Sequence, residues 1–234
     1  MTSNKKTARL AGLIYLILII SGMFSLLYVP SELIVYEDPS ATVQNITNGK
    51  MLFRWSVIGG LICYTTFLVL PLILYKLLSH VHKTHAILMV AFALISIPIS
   101  LYNIGHKFDI LTLVSGVEYL SAFSPEQLQA QVMLSLDAYN NGIIIAQVFW
   151  GLWLFPFGYL VYQSGILPKF FGIFLMIGCI GYLIEFIGGF MIDGYYDMGI
   201  ATYIGIPSAI GEIGICLWML IAGAKNNTIS IKSK

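Results

Sequence analysis

Glu185 and Glu212 stand inside stretches that are otherwise apolar, GCIGYLIEFIGGF and IPSAIGEIGICLWML. Placing a charged side chain at the centre of a membrane helix costs about 2.5–3.5 kcal/mol on insertion scales, so such a group is by default a site. A carboxyl there can bind a ligand, carry a proton or, where two environments push their pKa values apart, divide acid from base chemistry. Gln147, Asn140 and Asn103 add amides that donate and accept hydrogen bonds without charge. Helical spacing gives each carboxylate a face of small residues: Gly178, Gly181, Gly188 and Gly189 with Glu185, and Gly205, Ser208, Ala209 and Cys216 with Glu212. Small residues mark helix–helix contact in lipid, which predicts that both carboxylates face protein. Asp137, Asn140, Ile144, Gln147, Gly151, Leu154 and Gly158 repeat the same spacing of three and four. These five residues, Gln147, Glu185, Glu212, Asn103 and Asn140, form the candidate ligand site; the plain alternative is that they are packing groups satisfied by neighbouring helices.

A second group, Arg54, His106, Asp109 and Asp137, with Lys107, falls near the ends of apolar stretches, where long side chains reach out to water and anchor a helix. An Arg54 paired with either aspartate would recognise an anionic group. The run Ser79-His80-Val81-His82-Lys83-Thr84-His85 holds three histidines, but no Cys or carboxylate stands beside them to complete a metal site. Cys63, Cys179 and Cys216 are an odd number, widely spaced and apolar in setting, and read as buried thiols.

The elements that must position these groups follow from composition. Of 234 residues 58% are hydrophobic and 10% charged, against roughly half and a quarter in a soluble domain. A hydrocarbon core of about 30 Å needs about 20 apolar residues per helix. Six such stretches are legible, near 10–29, 55–75, 86–105, 142–162, 170–190 and 203–222, leaving short loops. The expectation is an all-α polytopic membrane helix bundle, residues 1–234 forming a single integral membrane domain. The first stretch is longer than a signal-peptide core of about 7–15 residues and lacks a small-residue cleavage pattern. At about 1.5 Å per residue, Glu185 lies roughly 24 Å from Lys169, Glu212 roughly 20 Å from Lys225 and Gln147 roughly 22 Å from Tyr162, so the three share a depth.

Of the 12 basic residues, Lys5, Lys6, Arg9, Lys76, Lys83, Lys169, Lys225, Lys232 and Lys234 flank one side, and Lys50, Arg54 and Lys107 the other. Every acidic residue outside the apolar stretches, from Glu32 to Asp197, lies opposite the basic side. That asymmetry predicts cytoplasmic N and C termini and accounts for the net charge of +1 without nucleic acid.

Between the first two stretches, Asp38-Pro39 and Asn48-Gly49 read as turns of a connecting loop. Before the fourth stretch, Ser124, Pro125 and Gln127 have the spacing of a capping box with Pro at the first helical position. They predict a short extracytoplasmic amphipathic helix, with Leu128, Val132 and Leu136 on one face. Pro98 and Pro156 each free a backbone carbonyl inside an apolar stretch.

The segment YLSAFSPEQLQA from Tyr119 to Ala130, the segment AQVFWGLWLFPFGYLVYQSGILPKFFG from Ala146 to Gly172, the opening ARLAGLIYLILIISG and the surroundings of Glu212 resemble the bacterial membrane family catalogued as domain of unknown function 4386. FWGLWLFPFGYL is the most specific run, and the resemblance covers nearly the whole chain. It implies six spans in the bacterial cytoplasmic (inner) membrane and supplies no activity, substrate or catalytic residue. The family's first cytoplasmic loop is basic, so the histidines of this chain depart from it.

Neither a P-loop, a G-x-S-x-G, an H-E-x-x-H nor a Rossmann glycine run occurs, and the sequence names no cofactor, metal site or catalytic residue. Three functions remain open. One is transport or ligand binding of a small molecule, coupled to a proton, through a polar cavity on the side opposite the basic loops. Another is an intramembrane enzyme acting on a lipid or quinone headgroup. The third is an accessory or immunity-type protein that binds another membrane protein. Membrane lipid is the partner common to all three, and the sequence leaves the oligomeric state open.

Overall fold

The computed structural model describes residues 4–225; Lys232 and Lys234 of the basic side lie outside the described residues, as does the side chain of Asp197. All regular structure among the described residues is helical. The helices are α1 (Asn4–Met23), α2 (Val29–Leu33), α3 (Pro39–Asn48), α4 (Lys50–Leu78), α5 (Lys83–Asn103), α6 (Gly105–Leu113), α7 (Pro125–Leu152), α8 (Leu154–Ser164), α9 (Lys169–Met191), α10 (Ile200–Ile204) and α11 (Ile206–Ile221). Among the described residues, five continuous helical stretches are long and apolar enough to cross a membrane: Asn4–Leu33, Lys50–Leu78, Lys83–Leu113, Pro125–Ser164 and Lys169–Met191. α11 is apolar but shorter. Ile180, Ile184, Ile187 and Phe190 follow one face of α9 with their side chains exposed, as a face in contact with lipid tails requires.

The chain divides into two compact units. The first comprises Met1–Leu16, Leu68–Ile95 and Gln147–Lys234. Its spine is α9, which packs against α8 and α11. The glycines of α9 make that approach close: a Cβ added to Gly178 would stand 2.8 Å from Ser208 Cα on α11. The small-residue faces that the spacing singled out therefore meet each other. α1 enters the same unit and closes the end of α11, whose last carbonyls have no partner of their own. Arg9 Nη2 donates to Ile221 O at 2.9 Å, and Cys216 Sγ donates to Gly12 O at 3.4 Å.

The second unit comprises Ile17–Phe67 and Ser96–Ala146. Its apolar centre joins Val29, Leu33, Ile46, Phe53, Ile110, Val132 and Leu136. Ile46 belongs to α3, a ten-residue helix where the sequence reading had only a connecting loop. The turn signal Asp38-Pro39 is a helix start: Asp38 Oδ1 accepts from Ala41 N–H at 2.9 Å, and Pro39 takes a first-turn position where its missing N–H costs nothing. Thr42, fully buried, pins that helix to the chain before it, accepting from Val35 N–H and donating to Val35 O, both at 2.8 Å.

The capping box forms as its spacing predicts. Ser124 N–H donates to Gln127 Oε1 at 2.8 Å, and Gln127 N–H to Ser124 Oγ at 3.3 Å. The short separate helix expected there does not occur. Pro125 opens a 28-residue helix without interruption, because nothing from Glu126 to Leu152 removes a backbone donor. The interruption comes at Trp153, where Pro156 lacks the N–H that Leu152 O would accept.

Within the first unit, Gly178→Leu is expected to lower stability by about 1–3 kcal/mol through overpacking, read as a fall in the thermal unfolding midpoint of the purified protein. A midpoint equal to wild type would mean that α9 and α11 do not approach as described.

Candidate functional site

In the first unit, three helices converge on Glu212. Tyr15, fully buried on α1, donates its hydroxyl to Glu212 Oε2 at 2.7 Å, and Tyr182 on α9 donates to Oε1 at 3.3 Å. Both carboxylate oxygens thus accept from a phenol. Tyr15 is itself held edge-on by Trp153, ring centroids 6.1 Å apart, and Trp153 stacks on Phe157 at 5.1 Å. Gly151 gives Tyr182 its room: a Cβ at Gly151 would stand 2.6 Å from the Cβ of Tyr182. Trp153, buried and stacked on Phe157, therefore fixes the orientation of one of the two phenols.

One turn further along α9, Glu185 accepts from Gln147 Nε2 at 2.9 Å through Oε2. Its other oxygen approaches α10–α11 where Gly205 has no side chain, a Cβ there standing 3.2 Å from Oε1. Tyr182 and Glu185 are three residues apart, on one face of α9. Glu212, Glu185, Gln147 and the two tyrosines are all half-buried or buried. Neither glutamate has a Lys or Arg within ion-pair distance, since the one ion pair among the described residues joins His106 Nδ1 to Asp109 Oδ2 at 3.5 Å.

The structure thus joins Gln147 to Glu185 and sets Glu212 between two tyrosines. Asn103 and Asn140 belong to the second unit and have partners there. Asn103 Nδ2 donates to Tyr139 O at 2.8 Å, and Asn140 Nδ2 donates to the Tyr36 hydroxyl at 2.9 Å. Of the charge group, His106 and Asp109 pair across one turn of α6, while Arg54 and Asp137 are exposed. His82 and His85 bring their Nδ1 atoms to 2.9 Å, and the His85 ring stacks on Tyr159. Among the described residues no group of three His, Cys, Asp or Glu side chains is placed to hold a metal.

Tyr15 and Tyr182 went unnoticed in the sequence because a tyrosine in an apolar stretch signals only an interface. Tyr182 had one legible cue, its place three residues before Glu185. The sequence predicts an interface anchor at Lys107, yet it is 4% exposed, enclosed by Ser25, Ser56 and Tyr139. Counting residues along a helix gives depth, not direction, and α6 starts anew after Ile104.

A chain whose described residues are helical wherever they are regular, with several helices long and apolar enough to cross a membrane and carboxylates held by neutral donors inside two of its apolar segments, is a multi-pass integral membrane protein. Residues 10–223 match the family described as a domain of unknown function (DUF4386), and the chain belongs to that family. An uncharacterized protein of Archaeoglobus fulgidus is 34% identical over 90 residues, which are 38% of this chain and 51% of that protein. The chain thus spans about half the length of that curated relative. No solved structure matches the chain.

Tyr15→Phe removes the shorter of the two phenol contacts and is expected to cost about 1 kcal/mol of stability, with Tyr182→Phe costing less. Chemical unfolding of the two variants in detergent checks the order, and equal losses would mean that Glu212 does not distinguish its two partners.

Proposed function

We propose that this chain is a six-span protein of the bacterial cytoplasmic membrane, one integral domain with both termini cytoplasmic, that binds a small molecule and moves a proton at Glu212. The observation that carries the reading is a carboxyl group held on both oxygens by tyrosine hydroxyls, with no Lys or Arg partner among the described residues. An ionised carboxylate accepts from both phenols. Once protonated it becomes a donor, and one phenol must turn its hydrogen elsewhere. Loading a proton on Glu212 is therefore coupled to the orientation of Tyr15 or Tyr182, and through α9 to Glu185 and its α7 partner Gln147. A group that only packed two helices would be served as well by a glutamine.

The sixth span is supported by α10 and α11 together. From Ile200 to Ile221, 21 steps of about 1.5 Å give about 31 Å, enough to cross a core of about 30 Å. Six crossings return the chain to its starting side. Arg9, Lys76, Lys83, Lys169 and Lys225 then mark that side as cytoplasmic, at the start of α1, the end of α4, the starts of α5 and α9 and the end of α11. Alkaline phosphatase fused after Ser79 or Lys225 is expected to be inactive and after Gly116 active; the reverse pattern would invert the topology.

For the proton step, infrared difference spectra of purified protein across pH are expected to contain a carboxyl band that is missing in Glu212→Gln. Liposomes carrying wild-type protein are expected to take up protons under a pH gradient, and Glu212→Gln liposomes are not. A band and a flux unaltered by the substitution would leave Glu212 as a packing group.

A further inference from the structure

The second unit contains a buried cation. Lys107 Nζ lies 3.2 Å from Ser25 O, 3.2 Å from Ser25 Oγ and 3.2 Å from Ser56 Oγ, and 4.7 Å above the centre of the Tyr139 ring. The cage is built for an ammonium. Ser25 Oγ gives its hydrogen to Ser56 O at 2.6 Å, and Ser56 Oγ gives its own to Phe53 O at 2.7 Å. Both hydroxyls therefore turn lone pairs toward Nζ, and a ring face adds a third kind of neutral, electron-rich partner.

The backbone is shaped for the same end. α1 passes into α2 through a π-helical turn, Phe24–Tyr28, in which Val29 N–H bonds to Phe24 O instead of Ser25 O. The next residue, Pro30, has no N–H to offer. Ser25 O is thus left over by the helix and is taken by Lys107. π-turns recur at functional sites for this reason.

All of these partners are neutral. No Asp or Glu lies within ion-pair distance of Lys107 among the described residues. A charge taken out of water and given only dipoles lacks a counterion, and here there is space for one. A cavity of about 260 Å³ reaches Lys107; its walls are apolar at Leu26, Phe53, Leu136 and Ile143 and polar at Tyr36 and Asn140. Asn140 donates to the Tyr36 oxygen, so the Tyr36 O–H keeps its own hydrogen to give. Cation and phenol donor line a cavity whose other walls are mostly apolar.

We propose that this cavity binds a carboxylate that carries a short aliphatic chain, the carboxylate against Lys107 and Tyr36 and the chain along Leu136 and Ile143. A single positive charge asks for a monoanion. At about 30 Å³ for each water-sized group, the volume of about 260 Å³ admits roughly nine non-hydrogen atoms, close to the ten of an eight-carbon acid and far fewer than a phospholipid has. The inference rests on the second unit alone and stands or falls apart from Glu212.

Calorimetric titration of the purified full chain with octanoate, octanol, octylammonium and octyl phosphate tests it. Octanoate is expected to bind at least about tenfold tighter than octanol, with octylammonium not binding. Lys107→Met is expected to lose octanoate binding at least about tenfold, and Lys107→Arg less. Ile143→Trp fills the apolar end and leaves Lys107, Ser25 and Ser56 unsubstituted. It is expected to abolish octanoate binding with an unchanged unfolding midpoint, and decides the matter if Lys107→Met does not fold. Equal binding of octanol and octanoate, undiminished octanoate binding by Ile143→Trp, or tighter binding of octyl phosphate would each overturn the assignment.

Discussion

A polar group inside hydrocarbon has no water to fall back on, and this single constraint organises the molecule. Backbone donors and acceptors are met within helices, which is why every regular element among the described residues is one. Hydroxyl side chains obey the same demand by turning back on their own helix: Ser21 donates to Ile17 O, Thr65 to Leu61 O, Thr66 to Ile62 O and Ser100 to Ser96 O. Groups that cannot satisfy themselves locally become the long-range ties. Arg9 reaches the end of α11, Gln147 reaches Glu185, Tyr15 reaches Glu212 and Lys107 reaches Ser25 and Ser56. The tertiary polar contacts of the protein are thus the residue left after each helix has served itself.

How far this was legible from the sequence follows from the same distinction. Helices that bury apolar length announce themselves, and the sequence readings of the first five apolar stretches fall within helices that the structure lengthens at one or both ends. α4, for example, runs from Lys50 to Leu78, beyond 55–75 at each end. The extra turns are polar and interfacial, so an apolar window cannot see them. α3 was missed for a related reason. Its sequence, PSATVQNITN, buries little beyond Thr42 and Ile46, and its stability comes from the Asp38 cap and from packing that only the folded unit supplies. Conversely, the capping box at Ser124 was readable because it is a purely local device.

The candidate site was legible in its charged members and opaque in their partners. Glu185 and Glu212 stand out against an apolar background, and the small residues around them correctly point to protein contact, as the approach of Gly178 to Ser208 confirms. Which donor meets each carboxylate depends on helix rotation and crossing, which spacing within one helix does not contain. Depth singles out Gln147, which bonds to Glu185; helical face singles out Asn103 and Asn140, which bond within the other unit. Lys107 is the sharpest case. Snorkelling is the ordinary fate of a lysine near a helix end, and only the π-turn before Pro30, with the two serines, makes an interior alternative available to it.

The two units meet opposite electrostatic problems with the same solution. Among the described residues, the carboxylates of the first lack cations and are held by phenols and an amide, and the ammonium of the second lacks carboxylates and is held by serine oxygens and a ring. A salt bridge in either place would have been the simpler way to offset desolvation, which amounts to several kcal/mol for each buried ion. It would also have fixed the charge, because removing a proton or admitting a counterion then means breaking a strong pair. Neutral dipoles stabilise an ion less completely, and they leave it free to change protonation or to accept a ligand without an internal competitor. An arrangement that forgoes pairing at both kinds of site retains reactivity at the expense of stability, and that preference is the physical reason to look for function at Glu212 and Lys107 before any other residue of the chain.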